Sequence, residues 1–144
     1  MIDNFDVELV LYANGVRNLP WEWGVTDCGI ITRNALTLVH DRDVWAGVVG
    51  NWTTAKGAKR ALKSLNNWET VIADTGGRSV APNWQRTGDM VLGIDSGHDD
   101  MPQLAIILPA GQVLMSTKSR GVHVLRHYTQ LIDVTFWRWS DRVS

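Results

Sequence analysis

The chain contains one cysteine, Cys28, in the stretch WEWGVTDCGIITR that runs from Trp21 to Arg33. Thr26 or Asp27 is a good helix N-cap, and an apolar run follows, so the thiol lies at the start of a predicted helix. A helix N-terminus favours a thiolate or an oxyanion, because its unpaired backbone N–H groups and its dipole stabilise negative charge. The position therefore suits a catalytic nucleophile, although a lone cysteine is also commonly a small buried packing residue.

Four histidines are candidates for the base that such a thiol needs. His40 lies on the same predicted helix, about 18 Å away at 1.5 Å per residue, which excludes it. His98 belongs to the acidic loop DSGHDDMPQ and is either a base folded over the next strand or a solvated loop residue. His123 lies within a predicted strand, where it is either a base or an ordinary strand histidine. His127 follows that strand, and no feature of the sequence supports it as the base.

A metal or cofactor has little support in the sequence. His98, Asp99 and Asp100 are adjacent and carry ligand atoms. Three neighbouring loop residues rarely converge on one ion, however, because their side chains diverge. We therefore expect neither a metal site nor an organic cofactor.

Length and charge limit the class of protein. With 144 residues, the chain is predicted to form one domain over residues 1–144. Its 14 basic and 15 acidic residues are mixed along the chain, which argues against a nucleic-acid partner. No apolar run reaches the roughly 18–20 residues that span a bilayer, and the N-terminal sequence does not resemble a signal peptide. A single cysteine fits a reducing compartment, so we expect a soluble protein made in the cytoplasm.

Tryptophan is unusually frequent, with eight residues against two Phe and two Tyr. Its ring suits half-buried cores, and it is also enriched at interfaces, since it combines a large apolar surface with an N–H donor. Trp21 and Trp23 flank the approach to Cys28. They either wall a groove or act as packing anchors.

The hydrophobic pattern predicts helices first and strands afterwards, which is typical of an α+β domain with helices packed on one side of an antiparallel sheet. The helical period indicates helices over residues 5–13, 27–40, 53–65 and 68–73. From Arg86 onward the period changes to short β-rich runs separated by turn residues. These predict about five strands, over residues 89–92, 104–108, 113–116, 122–125 and 134–139.

Three motifs occur along the chain in an order that is informative about the fold. WGVTDCGII opens the second helix, RTGDMVL leads into the sheet, and QLAIILPAGQVLMS forms a predicted hairpin. This order resembles the NlpC-type cell-wall cysteine peptidases, and more closely a phage tail-tip branch of that superfamily, over residues 21–139. The resemblance implies a papain-like α+β fold with Cys28 as nucleophile. In it, Asp89 mostly fixes the turn into the first strand.

The same resemblance places the family's catalytic histidine on Gln103 and the residue that orients it near Met115. Gln103 has no titratable group and cannot accept the thiol proton, although its amide could hydrogen-bond a substrate or an oxyanion. Met115 cannot orient a base. Without these partners, a thiol with a pKa of about 8.5 is only a few per cent ionised at neutral pH.

Two functions follow from the resemblance. The first is a structural component of a phage tail tip or hub, with degenerate activity, that contacts neighbouring tail proteins. The second is an active endopeptidase that cleaves peptidoglycan peptide stems during entry, with Cys28 as nucleophile and His98 or His123 as base. Both imply a virion protein synthesised in the host cytoplasm. A cellular acyl-transfer enzyme or a binding domain on the same fold is a third possibility.

Overall fold

Three α-helices precede a six-stranded antiparallel sheet in the computed structural model, which describes residues 3–45, 68–94 and 102–139. The helices are α1 (Phe5–Val16), α2 (Cys28–His40) and α3 (Trp68–Asp74). The strands are β1 (Gly77–Val80), β2 (Met90–Ile94), β3 (Pro102–Ile107), β4 (Val113–Thr117), β5 (Gly121–Leu125) and β6 (Thr135–Trp139). Their order in the sheet is β1-β6-β2-β3-β4-β5.

The main core lies between α2 and one face of the sheet, which we call the inner face. Helical spacing places Ile31, Ala35, Leu36 and Val39 of α2 on its buried side. Successive strand residues point to opposite faces, so alternate residues of each strand meet this helix. The inner-face residues in the core are Met90, Leu104, Ile106, Leu114, Val122, Trp137 and Trp139.

The opposite face of the sheet, the outer face, carries a second, smaller core. Partly buried side chains of residues 128–134 pack against it, so the chain between β5 and β6 covers part of this face. The buried members are Val91, Ala105, Ile107, Val113, Met115 and Phe136. Each strand therefore contributes to two apolar layers, one on either side of the sheet.

The α+β architecture predicted from the sequence is confirmed. Helices begin and end within a few residues of the predicted bounds at 5–13, 27–40 and 68–73, whereas the predicted helix at 53–65 lies outside the described residues. All five predicted strands are present, and β1 is an additional strand at the sheet edge. The sequence did not indicate β1 because its two central residues, Arg78 and Ser79, are exposed and give no alternating apolar pattern.

The tryptophans divide between core and surface. Trp45 and Trp139 are fully buried and pack edge to face, with ring centroids 5.7 Å apart. Trp84, in contrast, is 74% exposed. Core packing therefore accounts for some of the tryptophans, and Trp84 is left on the surface.

A buried ion pair joins the turn before β2 to strand β6. Asp89 is fully buried, and its two carboxylate oxygens accept hydrogen bonds from Nε and Nη2 of Arg138, each at 2.7 Å. The same carboxylate accepts the N–H of Arg86 at 2.9 Å, which closes the turn. Asp89 thus has the structural role that the sequence indicated, and its charge is matched by a planar bidentate donor.

We expect Arg138→Met to destabilise the fold by about 3 kcal/mol, because the substitution leaves the Asp89 carboxylate buried without its charge partner. Urea unfolding of the wild type and the variant measures this loss. Arg33→Met is the matched control, since the Arg33–Asp43 pair is more exposed, at 25% and 30% of the two side chains. It should cost about 1 kcal/mol or less. Equal losses in the two variants would contradict the role of the buried pair.

Candidate functional site

Asp27 fixes the start of α2 and with it the position of Cys28. It caps the helix from an extended conformation (φ −64°, ψ 163°). One carboxylate oxygen accepts the N–H of Ile30 at 3.0 Å, and the other accepts the N–H of Gly24 at 2.7 Å. The second bond reaches back into the preceding loop, so Asp27 ties that loop to the helix. The prediction that Cys28 begins a helix is confirmed.

The Cys28 thiol faces the main core and is protonated at neutral pH. Cys28 is 5% exposed. Burial, together with the negative charge of Asp27, raises its pKa to about 12, although the N–H of Leu104 on β3 donates to the sulfur and acts in the opposite direction. Burial thus raises the pKa of the thiol by more than the hydrogen-bond donors around the sulfur lower it.

A chain of hydrogen bonds links the sheet to the loop before Cys28. The side-chain Nε2 of Gln103 donates to the carbonyl oxygen of Ser116 at 3.1 Å and to that of Leu104 at 3.3 Å. The hydroxyl of Ser116 in turn donates to the carbonyl oxygen of Thr26. Sequence reasoning did not single out Ser116, although its place beside Leu114 on a strand indicates a buried hydroxyl that needs an acceptor.

The orientation of the Gln103 amide is fixed by its neighbours. Both groups that face Nε2 are carbonyl oxygens, so this end of the amide must be the donor. The Oε1 atom is buried and has no hydrogen-bond partner within the part of the chain that the structure describes. Gln103 as a whole is 8% exposed. A buried acceptor without a hydrogen bond is energetically unfavourable, so a donor that reached Oε1 would stabilise it.

Gln103 and Met115 line one cavity on the outer face, with a volume of about 250 Å³. The strand alternation separates this cavity from the thiol. Leu104 and Ile106 share the main core with Cys28, whereas Ala105, between them, belongs to the outer core. The structure therefore brings together the two residues that stand at the family's histidine and orienting positions by resemblance, and it places Cys28 in the other layer.

The four histidines lie in different places. His123 stands opposite Met115 on β5, donates from Nδ1 to the carbonyl oxygen of Gly121 at 2.9 Å, and has its pKa lowered by burial. His40 is at the far end of α2, where burial, assisted by nearby positive charge, lowers its pKa to about 4. The side chain of His127 accepts the N–H of Thr129 and caps a short turn. His98 lies outside the described residues.

Trp21 and Trp23 form a contact with Lys118 that the sequence did not reveal. Their rings meet nearly at right angles, with centroids 4.3 Å apart. The Lys118 ammonium lies 5.5 Å and 5.4 Å from the two ring centroids, within the range of a cation–π interaction. Trp23 also packs against the main core. Both tryptophans therefore act as packing anchors between the loop before Cys28 and the β4–β5 turn.

Residues 3–45, 68–94 and 102–139 hold no group of three or more His, Cys, Asp or Glu side chains arranged to bind a metal ion. The cluster at residues 98–100 lies outside these residues. Within the same residues, every helix is too short or too polar to cross a membrane.

The chain is similar to one protein family and to several solved structures. A family model described as a domain of unknown function (DUF6950) matches residues 1–134. No curated protein matches the chain. One similar solved structure is the NlpC/p60 domain of the peptidoglycan hydrolase SagA, with 20% identity, a TM-score of 0.56, and coverage of 92% of this chain and 96% of that one.

A second similar structure is an NlpC/p60 family protein from Bacillus cereus ATCC 10987. It has 14% identity and a TM-score of 0.53, and the match covers 92% of this chain but 39% of that one. At these levels of identity the likeness concerns the fold. The NlpC-type fold expected from the sequence is thereby confirmed.

We expect the native Cys28 thiol to react with a small thiol reagent at pH 8 at least about 100-fold more slowly than the thiol of the unfolded chain, because the reagent attacks the thiolate. With its pKa raised to about 12, the labelling rate should still be rising above pH 9, where an ordinary thiol levels off. Absorbance of the released chromophore measures both rates.

The matched control is the double variant Cys28→Ala/Val25→Cys, which moves the thiol to a nearby position that is 54% exposed. It should label at the rate of an ordinary thiol. Native Cys28 reacting as fast as this control would contradict a buried, protonated thiol.

Proposed function

The chain belongs to the family described as a domain of unknown function (DUF6950), and we propose that it is a structural, non-hydrolytic NlpC-type component of a phage tail tip or hub. The observation that carries the loss of hydrolysis is the buried, protonated thiol of Cys28. The phage setting rests on the resemblance of its motifs to the tail-tip branch. The proposal includes the virion as its location and other tail proteins as its partners.

A cysteine hydrolase needs a thiolate, a base and access for substrate. With its pKa raised to about 12, the Cys28 thiol is protonated at pH 7. Gln103, which we propose stands where active relatives carry the base, cannot accept a proton. Met115, at the proposed orienting position, is apolar and buried.

The polar groups around Cys28 support a structural role instead. Ser116 donates to Thr26 and so connects the sheet to the loop before α2, while the Gln103 amide donates to the Ser116 carbonyl oxygen and joins β3 to β4. Lys118 adds a cation–π contact to the same loop. The contacts of Ser116 and Lys118 hold the loop before Cys28 against the sheet, and such rigidity suits a scaffold better than a site that must admit a peptide.

The alternative is an active peptidoglycan endopeptidase that acts on peptide stems during entry. It is favoured by the position of Cys28 at a helix N-terminus and by the Leu104 N–H that donates to its sulfur, since both could stabilise a thiolate or an oxyanion. In this case a path for the substrate to the buried thiol must open. The base would have to come from His98, because His123 stands opposite Met115 on the outer face, whereas Cys28 belongs to the main core.

We expect the wild type and Cys28→Ala to release equal, background-level amounts of product from purified muropeptides, because the buried thiol is protonated. Chromatography with mass detection measures the products. The assay is run with the protein alone and with assembled tail tips, and an active NlpC/p60 domain serves as positive control. Turnover by the wild type that Cys28→Ala abolishes in either setting would establish the enzyme and overturn the structural proposal.

We expect phage that lack this protein to build few complete tails, whereas phage carrying Cys28→Ala should build them in normal numbers. A structural component is required for assembly, and its thiol is not. Electron microscopy of particles from infected cells counts complete tails. Normal tails in the absence of the protein would contradict the assembly role.

A further inference from the structure

The sheet ends in β1 on one side and in β5 on the other. We propose that the free edge of β1 binds an extended segment of another protein, which adds to the sheet as a further strand and carries an Asp or Glu beside Arg78. This contact does not depend on the function proposed above. It uses a part of the sheet that belongs neither to the Cys28 site nor to the Gln103 cavity.

The two edges differ in how their backbone groups are satisfied. At β5, the carbonyl oxygen of Val122 accepts the N–H of Asn18 at 2.8 Å, and the N–H of Val122 donates to the carbonyl oxygen of Leu19 at 2.9 Å. The segment after α1 therefore covers that edge. β1 pairs with β6 on one side, and no other described residue hydrogen-bonds to its backbone. Alternate N–H and C=O groups of β1 are thus open to a new strand.

The side chains of β1 define what the added strand must carry. Arg78 stands opposite Arg138, and Val80 stands opposite Phe136. Cross-strand partners share a face of the sheet, and Phe136 belongs to the outer core, so Arg78 and Val80 lie on the outer face. Val80 packs against that core. The added strand therefore continues this face with an apolar side chain beside Val80 and, two residues away, a second side chain beside Arg78.

Charge determines what the second side chain is. Arg78 is exposed and stands opposite another arginine, Arg138. The Arg138 guanidinium is neutralised by the buried carboxylate of Asp89 at 2.7 Å, whereas no carboxylate in the described ranges forms an ion pair with Arg78. An Asp or Glu on the added strand gives Arg78 the counter-ion that it lacks there, and opposite charges on neighbouring strands stabilise their pairing.

The same charge disfavours a second copy of this chain as the added strand. Two β1 strands that pair antiparallel with their outer faces aligned place the two Arg78 side chains opposite or diagonal to each other. Like charges that face each other across two strands are destabilising. The edge thus discriminates against its own copy, as expected of an exposed strand that must avoid self-association.

The loop after β1 adds an exposed aromatic side chain to this region. The carbonyl oxygen of Trp84 accepts from Nη2 of Arg138 at 3.0 Å, which ties the loop to the register partner of Arg78. Trp84 is 74% exposed. Tryptophan and arginine are both enriched at binding hot spots, so the strand and the loop that follows it present residue types suited to a protein partner.

Binding of a short synthetic peptide to the full chain tests the proposal. The probe is the capped peptide TVTETVT, which places a glutamate between two valines on one face and so meets Arg78 and Val80 in either strand direction. Its control is TVTKTVT. In two-dimensional NMR titrations, we expect the glutamate peptide to shift the β1 amide signals and to bind at least about tenfold more tightly than the lysine peptide. The difference should shrink at high salt.

One pair of variants tests the role of charge. Arg78→Glu should reverse the preference, so that the lysine peptide binds more tightly. Arg126→Glu is the matched control, because it makes the same change of charge at an exposed position just after β5, at the covered edge. It should leave the preference unchanged.

N-methylation of the probe tests the backbone pairing. Methyl groups on the valine and glutamate nitrogens block one side of the extended peptide, and methyl groups on the threonine nitrogens block the other side. We expect only one of these two methylated probes to lose its binding, because only one side of the peptide pairs with β1.

A glutamate peptide that leaves the β1 amide signals unshifted at several millimolar would overturn the proposal. So would a preference that Arg78→Glu fails to reverse, or that Arg126→Glu changes to the same extent. Equal binding by the two methylated probes, or a dimer of the wild type formed through β1, would also contradict it. Circular dichroism of each variant checks that the fold is intact.

Discussion

The buried carboxylate of Asp27 is the constraint on which the Cys28 region depends. It is 1% exposed, and it binds one backbone N–H ahead of α2 and one within its first turn. A helix cap of this kind contributes about 0.5–2 kcal/mol, and here it also ties the preceding loop to the helix. Within or next to this loop lie Cys28, the Thr26 carbonyl oxygen that accepts from Ser116, and the edge-to-face pair of Trp21 and Trp23.

Strand alternation then divides the candidate site between two layers. Leu104 directs its side chain into the main core and its N–H to the Cys28 sulfur, while Gln103, the preceding residue, lines the outer cavity. The sulfur thus contacts the backbone N–H next to Gln103, while the side chain of Gln103 lies in the other layer. This separation leaves the thiol desolvated in the main core and the Gln103 Oε1 without a partner among the described residues.

An NlpC-type fold does not by itself require hydrolysis, since function belongs to the site and not to the architecture. In this chain the residues at the positions expected for catalysis take part in packing and backbone hydrogen bonds. The surface beyond the site carries isolated exposed apolar side chains, among them Leu11, Trp84 and Ile132. A domain of this kind can act through the surfaces that it presents to neighbouring proteins.

Local patterns in the sequence determined the elements and the place of the thiol. The Asp27 cap, the helical spacing of α2 and the alternating strands predicted the α+β fold, because each depends on residues near one another in the chain. The β1 strand was not predictable from local pattern, since only its pairing with β6 orders residues with two exposed side chains at their centre.

Only the tertiary structure decided the environment of the site residues. The ion pair of Asp89 with Arg138, the approach of Lys118 to Trp21 and Trp23, and the hydrogen bond from Ser116 to Thr26 join positions far apart in the chain. The protonation of Cys28 depends on the same long-range packing, because desolvation by the sheet raises its pKa. The sequence alone determined that a cysteine begins a helix, and folding decided that this cysteine is buried.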